Sequence, residues 1–220
     1  MRALIFDLDG TLVDSTYQHA IAWQAAFRSI KWSVPAWEIH RLIGMNGTLL
    51  SRTVARARGE TLSASRIESL AAAHGRDFSD QISRCTPLPG AAELIAQLVR
   101  AKVPHGIATS GSRKDVAPLL KALKLTRATK VVDGDAVRAA KPEPDLFLAC
   151  QRRLRIPARD CVVIGDAVWD VYAARRSGIA AIGVRTGGFG EQELHNAGAM
   201  QVYRDLDDLD CHLDELGLSL

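Results

Sequence analysis

An α/β fold, a doubly wound parallel sheet carrying an all-helical insertion, is predicted by three features of the 220-residue sequence. The apolar run Ala3-Leu4-Ile5-Phe6 stops in Asp7-Leu8-Asp9-Gly10-Thr11, the mark of a buried strand whose end builds a site. From Pro87 onward helical patterns alternate with short strand patterns, as they do where parallel strands are joined by helical crossovers. Residues 15–86, between those stretches, show helical spacing and no convincing strand. The expected division is an α/β core made of residues 1–14 and 87–220, with a helical unit of residues 15–86 inserted into it.

In chain order, the first strand is expected to be buried, with Asp7 and Asp9, two apart on an extended chain, leaning to one side of it. Tyr17 to Ser29 follows as a helix, with Ala20, Trp23, Ala26, Phe27 and Ile30 at three- and four-residue spacings. Pro35 opens a short helix through Trp37, Ile39, Leu42 and Ile43, which Gly44 closes. Leu49 to Arg58 and Ser63 to Phe78 complete the helical stretch. Pro87-Leu88-Pro89-Gly90 is a turn cluster leading into a helix from Ala91 to Lys102. Further strands are expected at His105 to Thr109, Lys130 to Val132, Cys161 to Ile164 and Ala180 to Val184. Pro118, within a helix from Lys114 to Leu125, belongs either to its first turn or to a kink. A Rossmann-like sheet of this kind gathers ligands at the carboxyl ends of its strands, so chemistry is to be sought there.

Composition narrows the function. The 28 basic and 25 acidic residues leave a net charge of +3, too small and too dispersed for a nucleic-acid surface. No stretch approaches the ~20 apolar residues of a membrane span. Asp7 and Asp9 interrupt the N-terminal apolar run before it could serve as a signal peptide. Cys85, Cys150, Cys161 and Cys211 show neither close pairing nor zinc spacing, as in a reducing compartment. A cytoplasmic protein with no nucleic-acid or membrane partner is expected; nothing in the sequence speaks to oligomeric state.

Two carboxylates at one strand end call for a cation. Carboxylates and carbonyls are the hard oxygen ligands that Mg²⁺ prefers, and a carboxylate beside Mg²⁺ can attack phosphorus. Asp-x-Asp-Gly is also an ordinary turn, and it opens calcium loops. A calcium loop starting at Asp7 would put Leu12 where its glycine belongs and Gln18 where its bidentate glutamate belongs, so that reading fails. Ser110-Gly111 follows a strand and precedes a helix, offering a hydroxyl and unpaired backbone N–H groups to a phosphate oxygen. A serine there is equally an ordinary helix cap. Lys141 stands ahead of Pro142 and Pro144, which fix its loop, so its ammonium can hold a transferring phosphoryl group against an acidic nucleophile. Val162-Val163-Ile164-Gly165-Asp166 is a second strand ending in an acid. Asp166 is placed to complete a metal site, and Asp170, one helical turn on, to orient it from behind.

Asp7-x-Asp9-Gly10-Thr11, Ser110-Gly111, Lys141-Pro142 and Gly165-Asp166-x-x-x-Asp170 occur in the order and spacing of the haloacid dehalogenase superfamily. The chain resembles that superfamily over nearly its whole length, most closely its phosphoglycolate phosphatase-like and β-phosphoglucomutase-like members. The resemblance implies an α-helical cap at residues 15–86, Asp7 as nucleophile and Asp9 as general acid and base. It also implies that Ser110 and Lys141 bind phosphate and that Mg²⁺ is held by Asp7, the Asp9 carbonyl and Asp166. One departure bears on substrate: family mutases carry a cap arginine shortly after a Leu-x-Gly segment, and Leu42-Ile43-Gly44-Met45-Asn46-Gly47 puts Gly47 there. His19 and Trp23 match a cap-base pair of related members, although a histidine beside an apolar helix face is expected to pack rather than react.

The function expected is a Mg²⁺-dependent phosphatase of a small phosphorylated metabolite, of the phosphoglycolate or sugar phosphate class. The alternatives are a phosphomutase, a dehalogenase, disfavoured because Asp9 is retained, and a silent binding module, disfavoured by the acids at positions 7, 9 and 166.

Overall fold

The computed structural model describes residues 3–218, so residues 1, 2, 219 and 220 of the expected core lie outside the described residues. Strand β1 (Ala3–Phe6) opens the chain, and a tight turn carries it into the short strand β2 (Val13–Asp14). Helices α1 (Thr16–Ser29), α2 (Ala36–His40), α3 (Gly47–Ala57) and α4 (Ala64–Gln81) come next, before β3 (Thr86–Pro87) returns antiparallel along β2. Helix α5 (Ala91–Arg100) then leads to β4 (His105–Ala108), α6 (Arg113–Ala122), β5 (Lys130–Val132) and α7 (Asp145–Leu154). The alternation continues with β6 (Cys161–Gly165), α8 (Val168–Arg176), β7 (Ala180–Val184), α9 (Glu191–Ala197), β8 (Gln201–Tyr203) and α10 (Leu206–Asp210).

All strands but β2 and β3 form one six-stranded parallel sheet in the order β5-β4-β1-β6-β7-β8. The chain winds outward from β1 through β4 to β5, then returns to the other side of β1 as β6 and winds outward again. That reversal opens a crevice at the carboxyl ends of β1 and β6, where side chains from both strands can meet. The sheet is buried on both faces, and the two-residue period of a strand deals its side chains alternately to each. Leu4 and Phe6 pack with Val162 and Ile164 in one apolar cluster, while Ala3 and Ile5 pack with Cys161 and Val163 in the other. The inserted helices α1 to α4 surround an apolar cluster of their own, built on Trp23, Phe27, Ile39, Val54 and Leu70. Trp169 of α8 packs against that cluster as well as one sheet face, and its indole N–H donates to the Arg41 carbonyl at 3.1 Å.

The expected strands at Lys130–Val132 and Ala180–Val184 are observed with those bounds. Strand β8 was not expected: it is three residues long, and at the sheet edge only Tyr203 of its side chains is buried, so no apolar run marks it. The β2–β3 ribbon also corrects the all-helical reading around the insertion, its two-residue strands being too short for a period to register. Helix α2 stops at His40, short of the expected Ile43. The segment beyond it turns, with Gly44 at a φ of 95°, and presents the Arg41 and Gly44 carbonyls to Trp169 and Ser110 instead of to a further helical turn. Pro118 lies inside α6, beyond its first turn. All of the cysteines are free; Cys85, Cys150 and Cys161 are buried and Cys211 is exposed. Among the described residues no helix is long and apolar enough to cross a membrane.

Candidate active site

The chain leaves the sheet at Phe6 and tightens at once. The Leu8 carbonyl accepts from the N–H groups of Leu12 and Val13 at 2.9 and 3.0 Å, and the Gly10 N–H donates to the Val13 carbonyl at 2.7 Å. Gly10 has a φ of 84°, and a Cβ there would fall 2.4 Å from Thr16 Oγ1 and 2.5 Å from Asp166 Oδ2. Only glycine fits this corner. The turn anchors Asp7 to the neighbouring strand, its N–H donating to the Ile164 carbonyl at 2.9 Å, and sets Asp7 and Asp9 in the wall of one cavity of about 200 Å³.

The floor of that cavity is a buried charge cluster. The Lys141 ammonium, 1% exposed, donates to Asp7 Oδ1 and, at 2.8 Å, to Asp170 Oδ1. The other oxygen of Asp170 accepts from the Ala167 N–H at 3.0 Å, so both its oxygens are bonded within the protein. Thr11 donates its hydroxyl to Asp166 Oδ1 at 2.7 Å. One carboxylate oxygen from each of Asp7, Asp166 and Asp170 lies within 4.8 Å of the others, the only such group of possible metal ligands among the described residues.

On the opposite side the inserted helices reach Asp9. Ser15 donates to its Oδ1 at 2.6 Å, His19 meets the same oxygen through Nε2 at 3.2 Å, and Thr109 donates to Oδ2 at 3.3 Å. His19 is therefore not a packing residue alone, which corrects the expectation: its ring lies flat on Phe78, with centroids 3.8 Å apart, yet its edge meets a carboxylate. Nδ1 of His19 in turn meets Nε2 of His74 at 3.0 Å, and His74 stacks on Trp23 at 4.4 Å.

Ser110 and Gly111 line the cavity too, but the Ser110 hydroxyl and the Gly111 N–H already have partners. The Ser110 hydroxyl donates to the Gly44 carbonyl at 3.3 Å, and the Gly111 N–H donates to Thr109 Oγ1 at 3.1 Å. Of the backbone N–H groups expected to be unpaired in this turn, the one at Gly111 is taken, because the Thr109 side chain folds back over the turn. At the start of α6 the Arg113 N–H is taken by Asp135 and the Asp115 N–H by Ser112.

Burial and crowding decide the charge states. Burial pushes the Asp7 carboxyl up to about 7, a rise that Lys141 opposes and that Asp170 and Asp9 reinforce. Asp166 is held well above the usual carboxylate range by burial and by repulsion from Asp170 and Asp7. Burial alone would lower the Lys141 ammonium, but Asp170 and Asp7 outweigh it and raise it. Burial would likewise raise Asp9; His19 and Ser15 outweigh it and bring that carboxyl down to about 2. A buried set of hard oxygen donors carrying more negative charge than one ammonium offsets is suited to a divalent cation such as Mg²⁺.

The family model of the haloacid dehalogenase-like hydrolases matches residues 1–178. The chain belongs to that family. It is an enzyme of the hydrolase class, and its sequence motifs fall where this geometry is found. The hydrolase is 30% identical to the β-phosphoglucomutase of Bacillus subtilis (strain 168) over 97% of its own length and 93% of that protein's. It is 28% identical to a phosphoglycolate phosphatase of Pseudomonas syringae pv. tomato, over 84% of this chain and 70% of that one. A hydrolase of known structure from Pseudomonas syringae superposes with a TM-score of 0.95 at 41% identity, covering 98% of this chain and 99% of that chain.

Sequence reasoning did not single out Ser15, Thr109 or His74. A signal for His74 was present: His19 and Trp23 are four apart on one helix, and His74 and Phe78 are four apart on another, so each helix presents a histidine and an aromatic ring on one face. Thr109 directly precedes Ser110 at a strand end, where its hydroxyl is as well placed as the serine's.

Proposed function

We propose that this hydrolase is a Mg²⁺-dependent phosphatase of a small phosphorylated metabolite, acting through an aspartyl-phosphate on Asp7. The observation that carries this reading is the pairing of two differently served carboxylates in one cavity: Asp7, held by the buried Lys141 ammonium, and Asp9, held by His19 and Ser15. The relatives named phosphoglycolate phosphatase and β-phosphoglucomutase support phosphate chemistry. The reading includes a division of the chain into a core of residues 1–14 and 87–220 and a helical cap of residues 15–86.

Asp7, the Asp9 carbonyl and Asp166 would hold the metal, with Asp170 orienting the set through Lys141. A bound Mg²⁺ would supply positive charge that keeps Asp7 ionised and offsets the phosphoryl oxygens. Lys141 keeps Asp7 aimed along the cavity, and an oxygen of Asp7 attacks phosphorus as the ester oxygen departs. Asp9 gives its proton to that oxygen. Its low resting value has to rise for this, and the negative charge of an arriving phosphate, set against the same carboxyl, works in that direction. In the second step Asp9 takes a proton from the water that attacks the aspartyl-phosphate, releasing phosphate and restoring Asp7. The Ser110 hydroxyl exchanges the Gly44 carbonyl for a phosphate oxygen, and the inserted helices exclude bulk water.

The test is hydrolysis of an aryl phosphate with and without added Mg²⁺. Turnover that depends on Mg²⁺ is expected, and its absence across a panel of phosphate esters would overturn the reading. The identity with the Bacillus subtilis β-phosphoglucomutase favours a second reading, transfer of phosphate between sugar positions. A requirement for a bisphosphate primer would select it.

A further inference from the structure

We infer that the cavity takes phosphate monoesters of uncharged alcohols and rejects those whose alcohol carries a second anion, a carboxylate or another phosphate. The inference rests on the phosphatase reading and narrows it. Among the described residues lining the cavity, Lys141 is the only lysine or arginine, and its ammonium is already engaged by Asp7 and Asp170 on the floor. No lysine or arginine of the lining faces the end where the alcohol of a substrate would lie, and both ring nitrogens of His19 are taken up by Asp9 and His74. That end is walled by Trp23, Ile43, Met45 and Leu50, all buried, and by Ala71.

The wall leaves no room for a cation from α3. A Cβ at Gly47 would lie 2.8 Å from Cζ2 of Trp23 and 3.2 Å from its Cη2, so the indole fills the space that any side chain at that position would need. Trp23 is itself only 5% exposed and stacked on His74, so it cannot swing aside. His74 does not substitute as a cation, because burial, and then its neighbour His19, lower its affinity for a second proton. The charged group that does face this end is an acid. Asp115, on the first turn of α6, lines the cavity and accepts from the Ser112 hydroxyl at 2.7 Å. A second anion would shed its water against apolar walls and meet a carboxylate, with no donor of opposite charge to offset the loss. A hydroxyl in the same place could bond to Asp115 or Ser112, and its carbon would bury on Trp23 and Leu50.

The experiment compares two esters that differ in one group, 2-hydroxyethyl phosphate and phosphoglycolate, with Mg²⁺ present. Both are measured as substrates and as competitive inhibitors of aryl phosphate hydrolysis. The neutral ester should be favoured by about tenfold or more in kcat/KM, or in inhibition constant where turnover is slow. The second arm is Ala71→Lys, at an exposed position of α4 on the cavity wall, where lysine suits a helix. It should raise the relative efficiency toward phosphoglycolate by several-fold. Phosphoglycolate handled as well as the neutral ester by the unaltered protein would overturn the inference and leave the phosphatase reading standing. No Mg²⁺-dependent hydrolysis of any ester would overturn both.

Discussion

Lys141 Nζ lies 2.8 Å from Asp170 Oδ1 while also donating to Asp7, so one buried ammonium ties the strand β1 turn to the first turn of α8. Removing it leaves carboxylates buried without their counter-charge, a loss that costs about 3 to 5 kcal/mol in comparable buried pairs. Lys141→Ala should unfold at markedly lower urea concentration than the unaltered protein, and its kcat on an aryl phosphate should fall by about a hundredfold or more. Asp170→Asn should retain the fold and lose less activity, because the amide still accepts from Lys141. Equal activity in Lys141→Ala would remove Lys141 from the site.

His19 is expected to act through Asp9. His19→Ala should lower kcat on an aryl phosphate by about a hundredfold with little change in KM, since the hydrogen bond it makes is to the acid and base rather than to phosphate. His19→Gln, whose amide nitrogen can reach the same oxygen, should recover part of that loss. An unchanged kcat in His19→Ala would return the residue to simple packing against Phe78.

Stability should depend on pH through His105, far from the acids. This residue is buried at the start of β4; its Nδ1–H donates to the Val103 carbonyl at 2.8 Å and its Nε2 accepts from Thr129 at 2.9 Å. Burial lowers its proton affinity from the ordinary 6.5, against a smaller opposing effect of the Val103 carbonyl. Below 6.5 the unfolded chain therefore binds the proton more readily than the folded one, and the stability from this residue, fully present above 6.5, is lost as pH falls toward the lowered value. In the metal-free protein Asp7 and Asp166, whose values are raised, contribute with the opposite sign: their share is lost as pH rises. Comparison with His105→Gln isolates the histidine, because those acids are common to both proteins. The urea midpoint of the unaltered protein should fall more than that of His105→Gln between about pH 7.5 and about pH 5.5; equal falls would contradict the assignment.

How far the sequence reveals this molecule can be followed residue by residue. Asp7 and Asp166 could be read because each ends an apolar run that becomes a central strand, buried on both faces, so that the break from Ile and Val to Asp is abrupt. Lys141 could be read from its prolines, though not its two carboxylate partners, which lie 134 and 29 positions away. His74 meets His19 across 55 residues and two helices, and only the folded insertion brings them together. Gly47 could be noticed as an absent arginine, whereas the indole of Trp23 filling its space is a fact of packing. Strand β8 escapes for the opposite reason, its edge position leaving too few buried side chains to form a pattern.

The most direct measurement is the steady-state rate of Asp7→Asn on an aryl phosphate in saturating Mg²⁺, with folding checked by its urea transition. The amide keeps the volume and can still face Lys141, but it supplies no oxygen able to attack phosphorus and be released again. The expected rate is below about a hundredth of that of the unaltered protein, with phosphate still binding as a competitive inhibitor would. A folded Asp7→Asn that retains more than that would contradict covalent catalysis through Asp7.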